Sequence, residues 1–310
     1  QSPFVVVVVN QTMILAWRGT VTMADWLRDF AFHPSSSSRW SKVAESVKVS
    51  AGDLSLIETC LGENEDYLIE QIEDHNITQI VTTGHSLGGM LAFAANLWLV
   101  GSWTPELNGG ITNPKWADLV AKQRLSVRTM GFEAGMNAML YNSTDKDANQ
   151  KGMDFLKKVG STATNTVYGQ DVVPRAPGNL KYIKKVVNNL VDTMEQYPTD
   201  VTNTFEFMLF CAIQYYKQGA DKYLPDWAPI LEKFQHMGKI IYYSDADAEP
   251  KAYADPRDDG VGCNKLEGTS FPKFGHKLCK AQDKVGFTQL AAYLASQRGF
   301  IAKGPGMPFS

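Results

Sequence analysis

The chain has 310 residues, 44% of them hydrophobic and 20% charged, and carries a formal net charge of −3 at neutral pH. That length suits one large domain or two small ones, α/β folds often running this long as one unit, and neither the net charge nor any basic run points to nucleic acid. No apolar run reaches a membrane span; the longest, Met90 to Trp103, is broken by Asn96 and Gly101 and reads as a buried helix.

The chain opens at Gln1 and runs straight into FVVVVVN, the look of a processed or truncated chain, with any targeting segment out of view. Two β-branched runs, residues 4 to 9 and 12 to 17, meet at Asn10-Gln11 and predict a hairpin. Next, in VTMADWLRDFAFHP, Val21, Met23, Trp26, Leu27 and Phe30 recur at about helical spacing. With Ser35 to Ser38 just behind it, this stretch reads as a short amphipathic surface helix on flexible hinges, a candidate lid over residues 21–34. A longer helix is expected over 53–75, with Leu54, Ile57, Leu61, Leu68 and Ile72 on one face and Asp53 as N-cap. Its acidic residues, Glu58, Glu63, Glu65, Asp66, Glu70 and Glu73, read as a solvated face.

Residues 79–92, QIVTTGHSLGGMLA, organise the rest. A β-branched run ends at Gly84; His85, Ser86 and Leu87 are bracketed by Gly84, Gly88 and Gly89; a small-residue apolar helix follows. This is G-x-S-x-G between a strand and a helix, where the serine stands on a sharp turn and the helix N-terminus offers N–H groups to a developing oxyanion. Strands then recur over 125–131, 162–169 and 239–244, with helices between, including one near 149–159. Such alternation predicts a mostly parallel central sheet with helices on both faces and a ligand site at the carboxyl ends of the strands. Residues 178–235 break the rhythm and read as two or three helices, a helical insertion and possible cap, with a loop after 244 and a last helix over 284–298. No repeat or linker interrupts residues 1–310, which read as a single domain.

A serine hydroxyl needs a base in hydrogen-bond reach, and the base needs a carboxylate to fix its tautomer. Of five histidines, His33 lies in the candidate lid, His75 ends the acidic helix and His85 sits inside the turn, which leaves His236 and His276. The chain order Ser, Asp, His and a glycine-flanked loop before the last helix favour His276, with His236 as alternative. Asp171 follows a strand and precedes Val172-Val173-Pro174-Arg175, where Pro174 stiffens the turn; Asp245 and Asp247 are the alternatives for the acid.

The four cysteines form no C-x-x-C pair, and DADAE and DPRDD lack calcium-loop spacing, so no metal is expected. Cys263 and Cys279 flank a Gly/Pro-rich loop and are a candidate disulfide; sequons at Asn10, Asn76 and Asn142 fall in turns. Both features lean toward a secreted or lumenal compartment.

The pieces ILAWRGT (14–20), ADWLRDF (24–30), VTTGHSLGG (81–89), RTMGFEAGMN (128–137) and YGQDVVPRAPG (168–178) together resemble the class 3 lipases, the fungal-type triacylglycerol lipase family of α/β-hydrolases. The resemblance implies an α/β-hydrolase fold, Ser86 as nucleophile and Asp171 as the acid. It also implies an oxyanion hole of Thr20 with the Leu87 N–H, and a lid carrying Trp26, Leu27 and Phe30. HMGKIIYY (236–243) looks like the family's stretch around a non-catalytic histidine, which points the base toward His276. Two departures stand out: VSAGD with Ser50 and Asp53 replaces V-H-x-G-F, and Glu133-Ala134 replaces Pro-Arg. The expected activity is hydrolysis of tri-, di- or monoacylglycerol esters through an acyl-serine, without metal or organic cofactor, in transient contact with a membrane or droplet surface. Phospholipase A1, galactolipase and feruloyl-type esterase are the alternatives within that chemistry; a non-catalytic lipid-binding protein is the alternative outside it.

Overall fold

A computed structural model describes residues 4–19, 33–41, 44–104, 114–123, 125–140, 145–168, 173–175, 230, 233–243 and 251–253. Thr20, the lid candidates Trp26, Leu27 and Phe30, Asp171, His276, Cys263, Cys279, Asn142 and most of 178–235 lie outside the described residues.

Strands β1 (Phe4–Val9) and β2 (Thr12–Trp17) form the expected hairpin, with Val9 opposite Thr12. Asn10 takes φ 53, a left-handed conformation that asparagine tolerates better than other side-chain-bearing residues. Next come β3 (Pro34–Ser35) and β4 (Val47–Ser50), then helices α1 (Ala51–Glu63) and α2 (Glu65–Asp74). Strand β5 (Gln79–His85), helix α3 (Leu87–Trp103), helix α4 (Pro114–Gln123) and strand β6 (Ser126–Phe132) follow. Beyond them lie β7 (Ala138–Leu140), α5 (Lys146–Gly160), β8 (Ala163–Tyr168) and a single 3₁₀ turn over Val173–Arg175. The last described strands are β9 (Phe234–Gln235), β10 (Lys239–Tyr243) and β11 (Lys251–Tyr253).

The larger sheet runs β1-β2-β5-β6-β8-β10-β11, seven strands in all. From β2 to β10 every neighbour is parallel, and β1 and β11 are antiparallel additions at either end. Strand β5 lies near the middle, with Ile80, Val81, Thr82 and Thr83 all buried. Helix α3 is buried from Leu87 to Ser102 and packs against β2, β5 and β6. Its apolar run is therefore a central core helix, and no helix among the described residues is long and apolar enough to cross a membrane. A chain of side-chain hydrogen bonds pins α3 to the strands. Asn96 Nδ2 donates to Thr129 Oγ1 (2.7 Å), and the Thr82 hydroxyl donates to the Ala92 carbonyl (2.9 Å). With its own proton so used, Thr82 Oγ1 accepts from the Thr129 hydroxyl at 2.8 Å. All three side chains are fully buried, where unpaired polar groups are costly.

Several details differ from the sequence expectation. The helix expected over 53–75 is two helices, broken at Asn64, whose amide donates back to the Cys60 carbonyl at 2.8 Å. Ser50, not Asp53, is the N-cap of α1, and Asp53 is buried in its first turn. Helix α5 starts at Lys146, ahead of the expected 149, because the Asp145 carboxylate accepts from the N–H groups of Asp147 and Ala148. A second, four-stranded antiparallel sheet, β3-β4-β7-β9, has no counterpart in the sequence reading, and neither has β11, which falls where a loop was expected.

That second sheet revises the hinge behind residues 21–32. Ser35 pairs with Val49, the Ser36 hydroxyl donates to the Val47 carbonyl (2.7 Å), and the buried Ser37 hydroxyl donates to Glu58 (2.6 Å). A serine run that reads as flexible is thus a tied strand end. The acidic face is also less solvated than expected. Glu65 accepts two hydrogen bonds from Arg39 (3.1 and 3.2 Å) and one from Trp116 Nε1 (2.6 Å), while Arg39 lies 4.4 Å over the Trp98 ring. Within the expected helical insertion, Phe234 and Gln235 form strand β9 beside β7.

Candidate active site

Ser86 joins β5 to α3 at φ 55, ψ −124, a left-handed backbone that side-chain-bearing residues rarely adopt. The turn closes because its neighbours lack side chains. A Cβ on Gly84 would strike the backbone of Gly88, and one on Gly88 would strike the Trp17 carbonyl. The Ser86 N–H donates to the Phe132 carbonyl at the end of β6 (2.9 Å), and its own carbonyl accepts from Gly89 and Met90. The hydroxyl makes no cap hydrogen bond to the helix, and the residue is half-buried. Helix geometry leaves the Leu87 N–H without an intrahelical acceptor at the positive end of a 17-residue helix. A serine whose hydroxyl is not spent on the helix, beside such donors, has the form of a nucleophile next to an oxyanion site, and it still needs a base to be activated.

Two neighbours shape the rim. His85 packs beside Gly19, its buried Nε2 has no hydrogen-bond partner among the described residues, and burial lowers its pKa below 6.5. Glu133, next after the strand that holds the Ser86 N–H, is also left-handed (φ 52), is buried, and donates its N–H to the Thr166 carbonyl at 2.8 Å. Both glycine-like conformations therefore sit at the carboxyl end of the sheet, where ligand sites of such sheets lie.

Sequence reasoning missed Asn165, in the middle of β8. Its Oδ1 accepts from the Ala134 N–H (3.1 Å) and its Nδ2 donates to the Ala134 carbonyl (2.8 Å), so one side chain clasps both backbone groups of a loop residue. The only hint was an asparagine inside a threonine-rich strand, where asparagine is depleted. His236, the alternative base, is buried, with Nε2 2.6 Å from the Pro174 carbonyl and Nδ1 3.3 Å from Asn165 Nδ2. The described residues thus bring together Ser86, Leu87, Gly19, His85 and the Phe132–Ala134 loop, and they tie His236 to Pro174.

A model of the family "Lipase (class 3)" matches residues 14–181, more than half of the chain. The chain belongs to the class 3 lipase family. The match to the family begins within β2 and ends just past the 3₁₀ turn, so it contains Ser86 and every described element that holds it. A lipase from Rhizopus niveus is 27% identical over 169 residues, 54% of this chain and 35% of its own length. The chloroplastic phospholipase A1-Igamma2 of Arabidopsis thaliana is 26% identical over 187 residues, 54% of this chain and 31% of its own. The matched part thus spans about a third of these relatives. Among solved structures, lipase II from Rhizopus niveus aligns at 18% identity and TM-score 0.44, covering 79% of this chain and 62% of that one. Mono- and diacylglycerol lipase from Aspergillus oryzae aligns at 15% and 0.45, covering 86% and 70%. At such scores, family membership and the sheet order carry the assignment of an α/β-hydrolase fold.

Proposed function

We propose that this chain hydrolyses carboxylic esters of lipids, acting as a tri-, di- or monoacylglycerol lipase through an acyl-serine intermediate. The observation that carries the reading is the strained Ser86 between β5 and α3, with its hydroxyl not used as a cap. In this reading Ser86 Oγ attacks the ester carbonyl while His276 takes its proton. Asp171 orients the imidazole and stabilises its charged form. The Leu87 N–H and Thr20 hold the oxyanion, and His276 then returns the proton to the leaving alcohol. Water repeats the sequence on the acyl-enzyme and releases the fatty acid. No step calls for a metal or an organic cofactor. Residues 21–34, with Trp26, Leu27 and Phe30, act as a lid that meets a membrane or droplet surface.

Phospholipase A1 activity is the second reading, favoured by the match to a phospholipase A1. A secreted or lumenal setting is part of the proposal, supported by the exposed sequons at Asn10 and Asn76. The test is a panel of tri-, di- and monoacylglycerols, phospholipids and galactolipids, in soluble and aggregated form, beside Ser86→Ala. The account expects acylglycerol turnover that jumps once substrate aggregates and vanishes in the variant. Thr20→Val should lower kcat on the order of 10²-fold. Turnover of phospholipid alone would move the assignment to the second reading, and an active Ser86→Ala would overturn both.

A further inference from the structure

His236 is engaged through both ring nitrogens. The Pro174 carbonyl can only accept, so the 2.6 Å contact requires the proton on Nε2, and Nδ1 is then the lone pair that accepts from Asn165 Nδ2. Asn165 uses both amide hydrogens and its oxygen in turn. One amide hydrogen goes to the Ala134 carbonyl, the other to His236, and its oxygen takes the Ala134 N–H. The reverse amide orientation would set oxygen against the Ala134 carbonyl and N–H against N–H, so the network itself fixes the assignment. Asn165 and Pro174 are buried with His236.

Two ends of this relay matter. Ala134 lies two residues after Phe132, whose carbonyl holds the Ser86 N–H. Pro174 lies three residues after Asp171, at the 3₁₀ turn following β8. We propose that His236 is a positioning residue: its neutral ring, bridging Asn165 and the Pro174 carbonyl, fixes the turn that follows Asp171 against the loop that anchors Ser86. The bridge needs one donor and one acceptor on opposite sides of the side chain, which neutral imidazole supplies and a glutamine amide can imitate. The inference rests on the reading of Asp171 as the acid.

The experiment compares the full chain with His236→Phe, His236→Gln, His236→Asn and Asp171→Asn on a soluble p-nitrophenyl ester, following kcat, KM, the pH profile of kcat/KM and thermal unfolding. His236→Phe keeps ring volume and loses both bonds; kcat should fall on the order of 10²-fold with KM within about twofold. A carboxylate drawn away from the base stabilises its charged form less, so the acid limb of the profile should move to lower pH. His236→Gln, whose amide nitrogen reaches toward Pro174, should recover most of kcat, and the shorter His236→Asn should not. A folded His236→Phe with unchanged kcat and unchanged acid limb would overturn the proposal. If His236→Phe does not fold, equal kcat in the Gln and Asn variants would overturn it. Loss of all turnover in every His236 variant beside an active His276→Ala would make this ring the base and also overturn it. An Asp171→Asn variant with full activity would instead remove the acid on which the inference rests, whatever His236 does.

Discussion

Ser86 is held where a Cβ is unwelcome, at φ 55. Backbone strain of this kind costs on the order of 1–3 kcal/mol and persists where the surrounding structure enforces it. Ser86→Gly should therefore be more stable than Ser86→Ala by about 1 kcal/mol, read as a higher denaturant midpoint, with both inactive. Equal midpoints would mean that the turn stores no strain. His85 supplies a second expectation. Burial lowers the pKa of its imidazole below 6.5, so the unfolded chain binds a proton that the folded one resists. Its share of stability is complete above pH 6.5 and is lost as pH falls from there toward the folded-state value. Urea midpoints measured from pH 7 down to 5 should fall less steeply in His85→Gln than in the parent.

Elements divide sharply into those legible in the sequence and those not. The β5–turn–α3 unit is written in fourteen consecutive residues, because a strand, a glycine-bracketed turn and an apolar helix are all local patterns. The second sheet is not. Its strands are two to four residues long, too short for an alternation signal, and it exists through pairings such as Val47 with Leu140 and Met139 with Phe234. The same holds for Asn165 with His236, separated by 71 residues, and for the Arg39–Glu65–Trp116 cluster that took an acidic residue from the expected solvent face. What holds α3 on the strands was equally hidden. Thr129→Val removes the hydroxyl that links Asn96 to Thr82, and Asn96 Oδ1 already has no partner among the described residues. The variant should lose about 2–3 kcal/mol of stability, read from denaturant unfolding. Adding Asn96→Leu should return part of it, because removing both partners costs less than orphaning one. A Thr129→Val protein as stable as the parent would show that the chain of hydroxyls is idle.

At the scale of the whole molecule, the class 3 lipase family match, residues 14–181, takes in the parallel strands from β2 to β8 of the seven-stranded sheet, and Ser86 follows the carboxyl end of β5. Motif reasoning reached Asp171 and His276 through their neighbours in sequence, and both lie outside the described residues. The triad therefore stands as a proposal whose decisive member is visible: a serine with a strained backbone, a hydroxyl not spent on the helix, and a free helix N–H beside it. A fluorophosphonate probe reads that chemistry directly, because it reacts with a serine activated by its base and leaves ordinary surface serines alone. Incubation of the full chain followed by peptide mass spectrometry should place one label per chain on Ser86, with none in Ser86→Ala. An unlabelled protein, or a label carried by another residue, would contradict the account.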